Sequence, residues 1–149
     1  FYTEKEIGEI IKRSSKILDI DIHDDAIKEI ASRSRFTPRT ANYFLKRCRD
    51  YAQIEKTTLS KDIVEKALKM LSVDDLGLNG ADRDILKTII EKFKGGPVGL
   101  NTIAAALSEE QATIEEVYEP YLIQLGLLER TPKGRIATEK AFNHLNIKK

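Results

Sequence analysis

The chain has 149 residues, of which 41% are hydrophobic and 33% are charged, and its formal net charge is +1. This composition is typical of a globular protein and excludes a disordered or a fibrous chain. No apolar run approaches the ~18 residues that a membrane span needs, and there is no leader of basic and then apolar residues, so we expect no membrane partner. Because 25 Lys and Arg face 24 Asp and Glu, binding to nucleic acid requires a local basic patch.

Cys48 is the single cysteine, so it cannot form an internal disulfide, and we expect a reducing, cytoplasmic environment. Cys48 gives no metal-ligand spacing with His23 and His144, so we expect no metal site. The chain starts at Phe1 rather than at a methionine, and we therefore expect it to be a piece of a longer protein.

The first 72 residues predict four short amphipathic helices that bury one modest core. The residues expected to cap their N-termini are, in chain order, Thr3 with Glu6 in a capping box, Asp24 or Asp25, Thr37, and Ser60. Pro38 follows Thr37 at the first helical position. An N–H group there would have no acceptor within the helix, so the lack of one in proline costs no hydrogen bond.

A stretch rich in Gly, Asp and Asn predicts a linker at residues 73–79. We therefore divide the chain into a domain of residues 1–72, this linker, and a domain of residues 80–149. Residues 1–72 hold 15 basic and 12 acidic groups, a net of +3, whereas residues 73–149 hold 10 and 12, a net of −2.

The second half predicts three helices, then a β-hairpin, then a last helix. Its landmarks are the turn Gly95–Leu100, a capping box of Thr113 and Glu116, a kink at Pro120, a helix end at Gly126, extended runs Leu127–Thr131 and Arg135–Thr138, and a helix from about Glu139 to Leu145. This order is typical of a winged-helix domain. The predicted fold class is mainly α, with a four-helix domain followed by a winged-helix domain whose wing is a β-hairpin.

The densest basic stretch runs from Arg33 to Arg49 and contains no acid. Most of its arginines and lysines are explained by a solvated helix face. Arg39 is different because it lies just inside a helix start, where its guanidinium and the free N–H groups of the first turn can bind the same anion. Both interpretations of Arg39, a phosphate contact and an ordinary surface residue, remain open on spacing alone.

The hairpin is the second basic patch, since residues 129–149 carry a net charge of +4. Arg130 and Arg135 flank its tip, so the hairpin is either a wing that contacts a phosphate backbone or an ordinary surface hairpin. The preceding helix holds five glutamates and no Lys or Arg between Glu109 and Glu119, so we do not expect it to read the major groove. If this domain binds DNA, we expect the wing to do so with little readout of bases.

No phosphate loop, Ser/His/Asp set or metal triad occurs, so we expect this chain alone to be inactive as a nucleotidase. Four motifs nevertheless have a specific order and spacing: FTPRTANYFLKRCRDYA (36–52), GGPVGLNTIAAAL (95–107), TIEEVYEPYLIQLG (113–126) and ERTPKGR (129–135). From end to end the chain resembles the lid and winged-helix domains of the RuvB family, the hexameric AAA+ ATPases that drive branch migration at Holliday junctions.

The resemblance implies that Arg39 contacts the terminal phosphates of ATP, that Tyr2 lies against the nucleotide, and that Arg130 and Arg135 contact DNA. Lys133 stands where the family commonly has an arginine. The positive charge is retained there, but the planar guanidinium that can bind a phosphate through two N–H groups is lost. Gln111 also stands where an arginine is frequent, which puts a backbone contact at that position in doubt.

The resemblance further implies ATP with Mg²⁺ as cofactor, bound mainly by a large domain that this chain lacks. The implied partners are double-stranded DNA at four-way junctions, a homo-hexameric ring, the RuvA tetramer through the large domain, and the RuvC resolvase. Two other classes compete with this interpretation: a winged-helix transcription regulator with a helical sensor domain, and another AAA+ DNA protein of the origin-binding or clamp-loading type.

Overall fold

The computed structural model describes all 149 residues and is mainly helical, with one two-stranded antiparallel hairpin. The chain folds as two units, Phe1–Asn79 and Gly80–Lys149. The predicted fold class is therefore confirmed. No helix is both long and apolar enough to cross a bilayer.

The first unit consists of four helices: α1 (Glu4–Ile17), α2 (Asp24–Ser32), α3 (Pro38–Glu55) and α4 (Lys61–Met70). Their inner faces form one buried cluster, whose large fully buried members include Ile7, Ile11, Ile30, Leu45, Leu59 and Leu68. Within each helix the buried side chains recur at three- and four-residue spacing, as Ile7 and Ile11 do in α1, so each helix buries one stripe and leaves its charged face in water. Leu59 joins the cluster from the turn between α3 and α4.

The predicted helix starts are confirmed at three of four places. Thr3 and Glu6 form the full capping box, Thr37 Oγ1 accepts the N–H of Thr40 at 3.3 Å, and Ser60 Oγ accepts the N–H of Ile63. The prediction for α2 is wrong, because His23 occupies the cap position and makes no side-chain cap bond. Both aspartates, at 24 and 25, lie in the first turn of α2, where their charge still favours the helix N-terminus.

Residues 73–79 are ordered by contacts within the first unit. Val73 packs into its core cluster, and one carboxylate oxygen of Asp74 accepts the N–H groups of Leu76 and Leu78, each at 3.0 Å. Because Asp74 and Asp75 belong to this unit, the charge contrast found in the sequence disappears at the structural boundary. Residues 1–79 have a net charge of +1 and residues 80–149 a net charge of 0.

The second unit contains α5 (Gly80–Lys87), which continues as a π-helical turn at Thr88–Lys92, then α6 (Leu100–Leu107), α7 (Gln111–Thr113), a second π-helical turn (Ile114–Tyr118), α8 (Glu119–Gln124), β1 (Leu128–Thr131), β2 (Gly134–Ala137) and α9 (Glu139–His144). The segments from Gln111 to Gln124 form one continuous helical stretch, here called the second helix of the helix-turn-helix. Its buried side chains include Ile114, Tyr121 and Leu122.

The expected capping box of Thr113 and Glu116 is wrong, because this helix starts earlier. Thr113 has helical φ and ψ of −63° and −45°, whereas Glu110 has the extended backbone of a cap residue. The π-helical turn ends two residues before Pro120, so the wider turn lies where the proline ring would meet the preceding carbonyls. The helix therefore continues past Pro120.

The wing pairs β1 with β2 in register, so that Arg130 lies directly opposite Arg135. A third segment adds to β2: Val98 and Arg135 exchange two backbone hydrogen bonds, of 3.0 and 2.7 Å. Gly134, at φ 130°, permits this approach, since a Cβ there would lie 2.6 Å from the carbonyl of Val98. The segment predicted as a turn thus also anchors the wing.

Candidate functional sites

Arg39 is exposed at the second position of α3 and makes no hydrogen bond or ion pair within the chain. The neighbouring donors are occupied: Thr37 Oγ1 accepts the N–H of Thr40, and the Thr37 carbonyl accepts the N–H of Ala41. Pro38 has no N–H, so the backbone N–H of Arg39 is the donor left over in the first turn. One N–H and one guanidinium at a helix N-terminus form an arrangement that can bind an anion.

The loop before α3 brings the N-terminal aromatic residues to this end of the helix. The backbone N–H of Tyr2 donates to the carbonyl of Phe36 at 3.1 Å, and the rings of Phe1 and Phe36 meet edge to face at 6.0 Å. Tyr2 itself is 46% exposed. The structure therefore bonds Tyr2 to Phe36, which precedes Arg39 by three residues, and leaves both Tyr2 and Arg39 exposed.

One hydrogen bond and one long ion pair join this loop to the segment of residues 73–79. Nη1 of Arg35 donates to the carbonyl of Gly77 at 3.4 Å, and Nη2 of Arg33 lies 3.6 Å from a carboxylate oxygen of Asp75. Arg35 and Phe36 both have left-handed backbone, at φ 56° and 55°, which is uncommon for residues with large side chains. The loop is thus a tight, specifically held turn.

The other arginines of the basic stretch are partly paired with acids that lie just outside it or at its end. Arg33 is buried and binds Glu29 one helical turn earlier. Asp50 binds both Arg47 and Arg49, at 2.9 and 3.2 Å. These pairs support the interpretation of a structural or solvated face for most of the stretch, and they leave Arg39 as the arginine that differs.

In the second unit, the wing arginines meet a buried acid that the sequence analysis did not single out. Glu119 is fully buried, and one of its oxygens accepts Nε of Arg130 at 3.0 Å. Its two oxygens also accept Nε of Arg135 at 2.7 Å and Nη2 of Arg135 at 3.1 Å, a bidentate pair. The sequence spacing indicates that Glu119 faces inward, because it precedes the buried Leu122 by three residues and therefore lies on the same face of the helix.

The three wing cations differ in how far they are free to meet a ligand. Lys133 is exposed in the turn between the strands, and Arg130 retains 45% of its side-chain exposure. Arg135 retains 16%, and its bond to Glu119 raises the pKa of its guanidinium. The most available positive charge therefore lies at Lys133 and Arg130.

The acidic character of the second helix is partly neutralised. The structure leaves Glu109, Glu110, Glu115 and Glu116 exposed, while Glu119 faces inward to the wing. Four exposed carboxylates still oppose the approach of a phosphate backbone to this helix.

The two units together define a class of protein: a four-helix lid domain with an arginine at the start of its third helix, followed by a winged-helix domain. The RuvB AAA lid domain matches residues 2–74, and the RuvB C-terminal winged helix domain matches residues 75–146. The chain belongs to the RuvB family and consists of its C-terminal lid and winged-helix domains.

Individual relatives agree with this assignment. The Holliday junction branch migration complex subunit RuvB of Solibacter usitatus is 52% identical over 149 residues, and that of Dehalococcoides mccartyi is 55% identical over 148 residues. The solved Thermotoga maritima RuvB Holliday junction branch migration motor is 53% identical and superposes with a TM-score of 0.98 over 100% of this chain. These matches favour the RuvB family over a transcription regulator or another AAA+ protein.

The chain spans less than half the length of the curated relatives. It covers 43% of the Solibacter protein, 42% of the Dehalococcoides protein, and 50% of the solved Thermotoga chain, while 99–100% of this chain is matched in each case. The relatives therefore contain a further large segment outside the part that this chain matches.

Proposed function

We propose that this chain is the C-terminal part of a subunit of a hexameric, ATP-dependent motor that drives Holliday junction branch migration in DNA recombination and repair. In this proposal the lid responds to the phosphates of ATP and the wing holds duplex DNA without sequence preference. The observation that carries the proposal is the exposed, unpartnered guanidinium of Arg39 at the N-terminus of α3. Nothing inside the chain neutralises it, so it is available to a phosphate supplied from outside.

The residues present fit the rim of a nucleotide site rather than a whole one. Arg39 would bind the terminal phosphates, and Tyr2 would lie against the nucleotide, while the phosphate loop and the Mg²⁺ ligands belong to the large domain. Bound ATP with Mg²⁺ supplies the free energy of hydrolysis to the motor. Arg39 could bond to the phosphates only while they are present, so it would hold the lid in one orientation before hydrolysis and release it afterwards.

On the DNA side, Lys133 and the free edge of Arg130 would contact phosphates of the duplex, with Arg135 beside them. Two or three phosphate contacts give weak, salt-sensitive binding without base recognition. A ring of six subunits at a four-way junction would raise the total affinity through effective concentration. RuvA, bound through the large domain, and RuvC would be the further partners.

The nucleotide half of the proposal is tested with Arg39→Ala in the full-length protein. We expect ATP turnover to be lost, because the guanidinium that meets the terminal phosphates is gone, while duplex binding by the wing is retained. Arg13→Ala, which removes another exposed arginine of the lid, is the matched control and should turn over ATP normally. Normal turnover by the Arg39 variant would overturn its role.

The DNA half is tested with Lys133→Met in the 149-residue chain, measuring anisotropy of labelled duplexes of several sequences from 50 to 200 mM salt. We expect weaker binding to every duplex and a salt slope reduced by about one, the value for one lost phosphate contact. Lys92→Met, an exposed lysine of the same unit, is the control. A strong preference for one duplex would instead favour a transcription regulator.

A further inference from the structure

We propose that Glu119 is a positioning residue that holds the wing arginines against the helix and thereby limits how strongly the wing binds duplex DNA. This inference rests on the proposed duplex-binding role of the wing, and it adds to that role a carboxylate that sets the strength of the contact.

The first step is the geometry of the buried carboxylate. Glu119 has no exposed surface, yet it keeps its charge balanced by two guanidinium groups, with N–O distances of 2.7–3.1 Å. A buried carboxylate without partners would be very unfavourable, so these bonds compensate the burial of Glu119. The same bonds fix where both arginines point.

The second step is the wing itself. Arg130 and Arg135 are directly opposite each other on β1 and β2, and like charges at such a position repel. The carboxylate of Glu119 lies within hydrogen-bond distance of both and removes this repulsion. Without it, the two guanidinium groups would separate and turn toward solvent.

The third step is the competition with phosphate. Nε and Nη2 of each arginine face Glu119, and this is the edge of the guanidinium that otherwise binds a phosphate bidentately. The three cations Arg130, Lys133 and Arg135 therefore present a local net charge of +2 rather than +3. A duplex can recruit these edges only by displacing the carboxylate, so Glu119 lowers both the affinity and its dependence on salt.

The test is Glu119→Gln in the 149-residue chain, because glutamine keeps the shape of the side chain and removes its charge. We expect tighter duplex binding with a salt slope steeper by about one, because the local net charge of the wing rises from +2 to +3. Each added contact increases the ratio of affinities at 50 and 200 mM salt by roughly three- to fourfold. Glu119→Asp, which restores the charge, should return the slope to the wild-type value.

If Glu119 only stabilises the wing, the result is different. Loosening the wing would then weaken duplex binding without making its salt dependence steeper. Circular dichroism shows whether each variant is folded. If Glu119→Gln fails to fold, Glu119→Gln with Arg135→Met is compared with Arg135→Met alone. The single variant keeps the carboxylate on Arg130 and the double variant lacks it, so the slope of the double variant should exceed that of Arg135→Met by about one. The proposal is overturned by a folded Glu119→Gln variant that binds no more tightly and no more steeply than the wild type, or by a folded double variant that matches Arg135→Met.

Lys133→Met separates failure of this inference from failure of the proposed function. If Lys133→Met leaves duplex binding unchanged, the wing is not the duplex site, and both the wing assignment and the role of Glu119 are rejected. If Lys133→Met lowers the slope but the Glu119 variants match the wild type, only the role of Glu119 is rejected.

Discussion

Cys48 lies in the core of the first unit, with no exposed surface, and burial raises the pKa of its thiol to about 12 from an ordinary value of 9.0. The nearby charge of Arg33 acts in the opposite direction and is the weaker effect. A thiol that remains protonated and buried behaves as a small apolar side chain.

The raised pKa predicts how Cys48 affects stability in alkali. The contribution of the protonated thiol is complete below pH 9 and is lost as the pH rises from 9 toward 12, because the unfolded chain ionises first. The difference in unfolding free energy between wild type and Cys48→Ala should fall by about 1.4 kcal/mol per pH unit in that range. Urea unfolding of both proteins at pH 8 and pH 10 measures it, and a constant difference would contradict the prediction.

Two charged residues show what the sequence could and could not predict. The position of Arg39 at a helix start could be predicted because its surroundings are local: a cap residue and a proline lie within two positions of it. Its contact with a phosphate stays a prediction. Glu119 was not identified, because its partners follow it by 11 and 16 residues and meet it only when the hairpin folds back. Counting it with the exposed glutamates of its helix overestimated the repulsion of DNA.

At the scale of elements, the wing depends on a close approach of backbones at Gly134. Its φ of 130° is unfavourable for a side chain, and a Cβ would collide with Val98. We expect Gly134→Ala to destabilise the wing by more than ~1 kcal/mol, so that the Arg135 amide, bonded to the Val98 carbonyl at 2.7 Å, exchanges its hydrogen several-fold faster.

The control for this prediction is Gly80→Ala. Gly80 starts α5, and no atom lies within 4 Å of the place its Cβ would take. Alanine there should leave the exchange of the Arg135 amide unchanged or slightly slower, because it favours the helix. Equal exchange rates in the two variants would mean that the wing tolerates a side chain at position 134.

Helix starts and strands were predicted well where the signal is local, as at Thr37, and within about a residue for β1 and β2. The prediction failed at Thr113, where a Thr and Glu at capping-box spacing lie inside a helix. The left-handed backbone of Ser108 ends α6, and the next helix begins soon after at Gln111, which leaves Thr113 no extended position to occupy. The length of that turn depends on packing, which spacing does not reveal.

At the scale of the whole molecule, the two units are close to electrically neutral, at +1 and 0, so net charge does not decide which of them binds DNA. The proposal assigns duplex binding to the second unit. We therefore expect a piece of residues 80–149 to bind duplexes with the salt slope of the whole chain, and a piece of residues 1–79 to bind little.

Anisotropy with both pieces, after circular dichroism has established that each is helical, decides between the units. Duplex binding carried by residues 1–79 would move the DNA contact to the lid and remove the wing as the duplex site.

The hydrogen bond between the loop before α3 and Gly77 limits the length of chain that connects the two units. Gly77, whose carbonyl accepts Nη1 of Arg35 at 3.4 Å, is separated from the first residue of the second unit, Gly80, by two residues, of which Leu78 is fully buried. Only these two residues therefore lie between a backbone position anchored in the first unit and the start of the second.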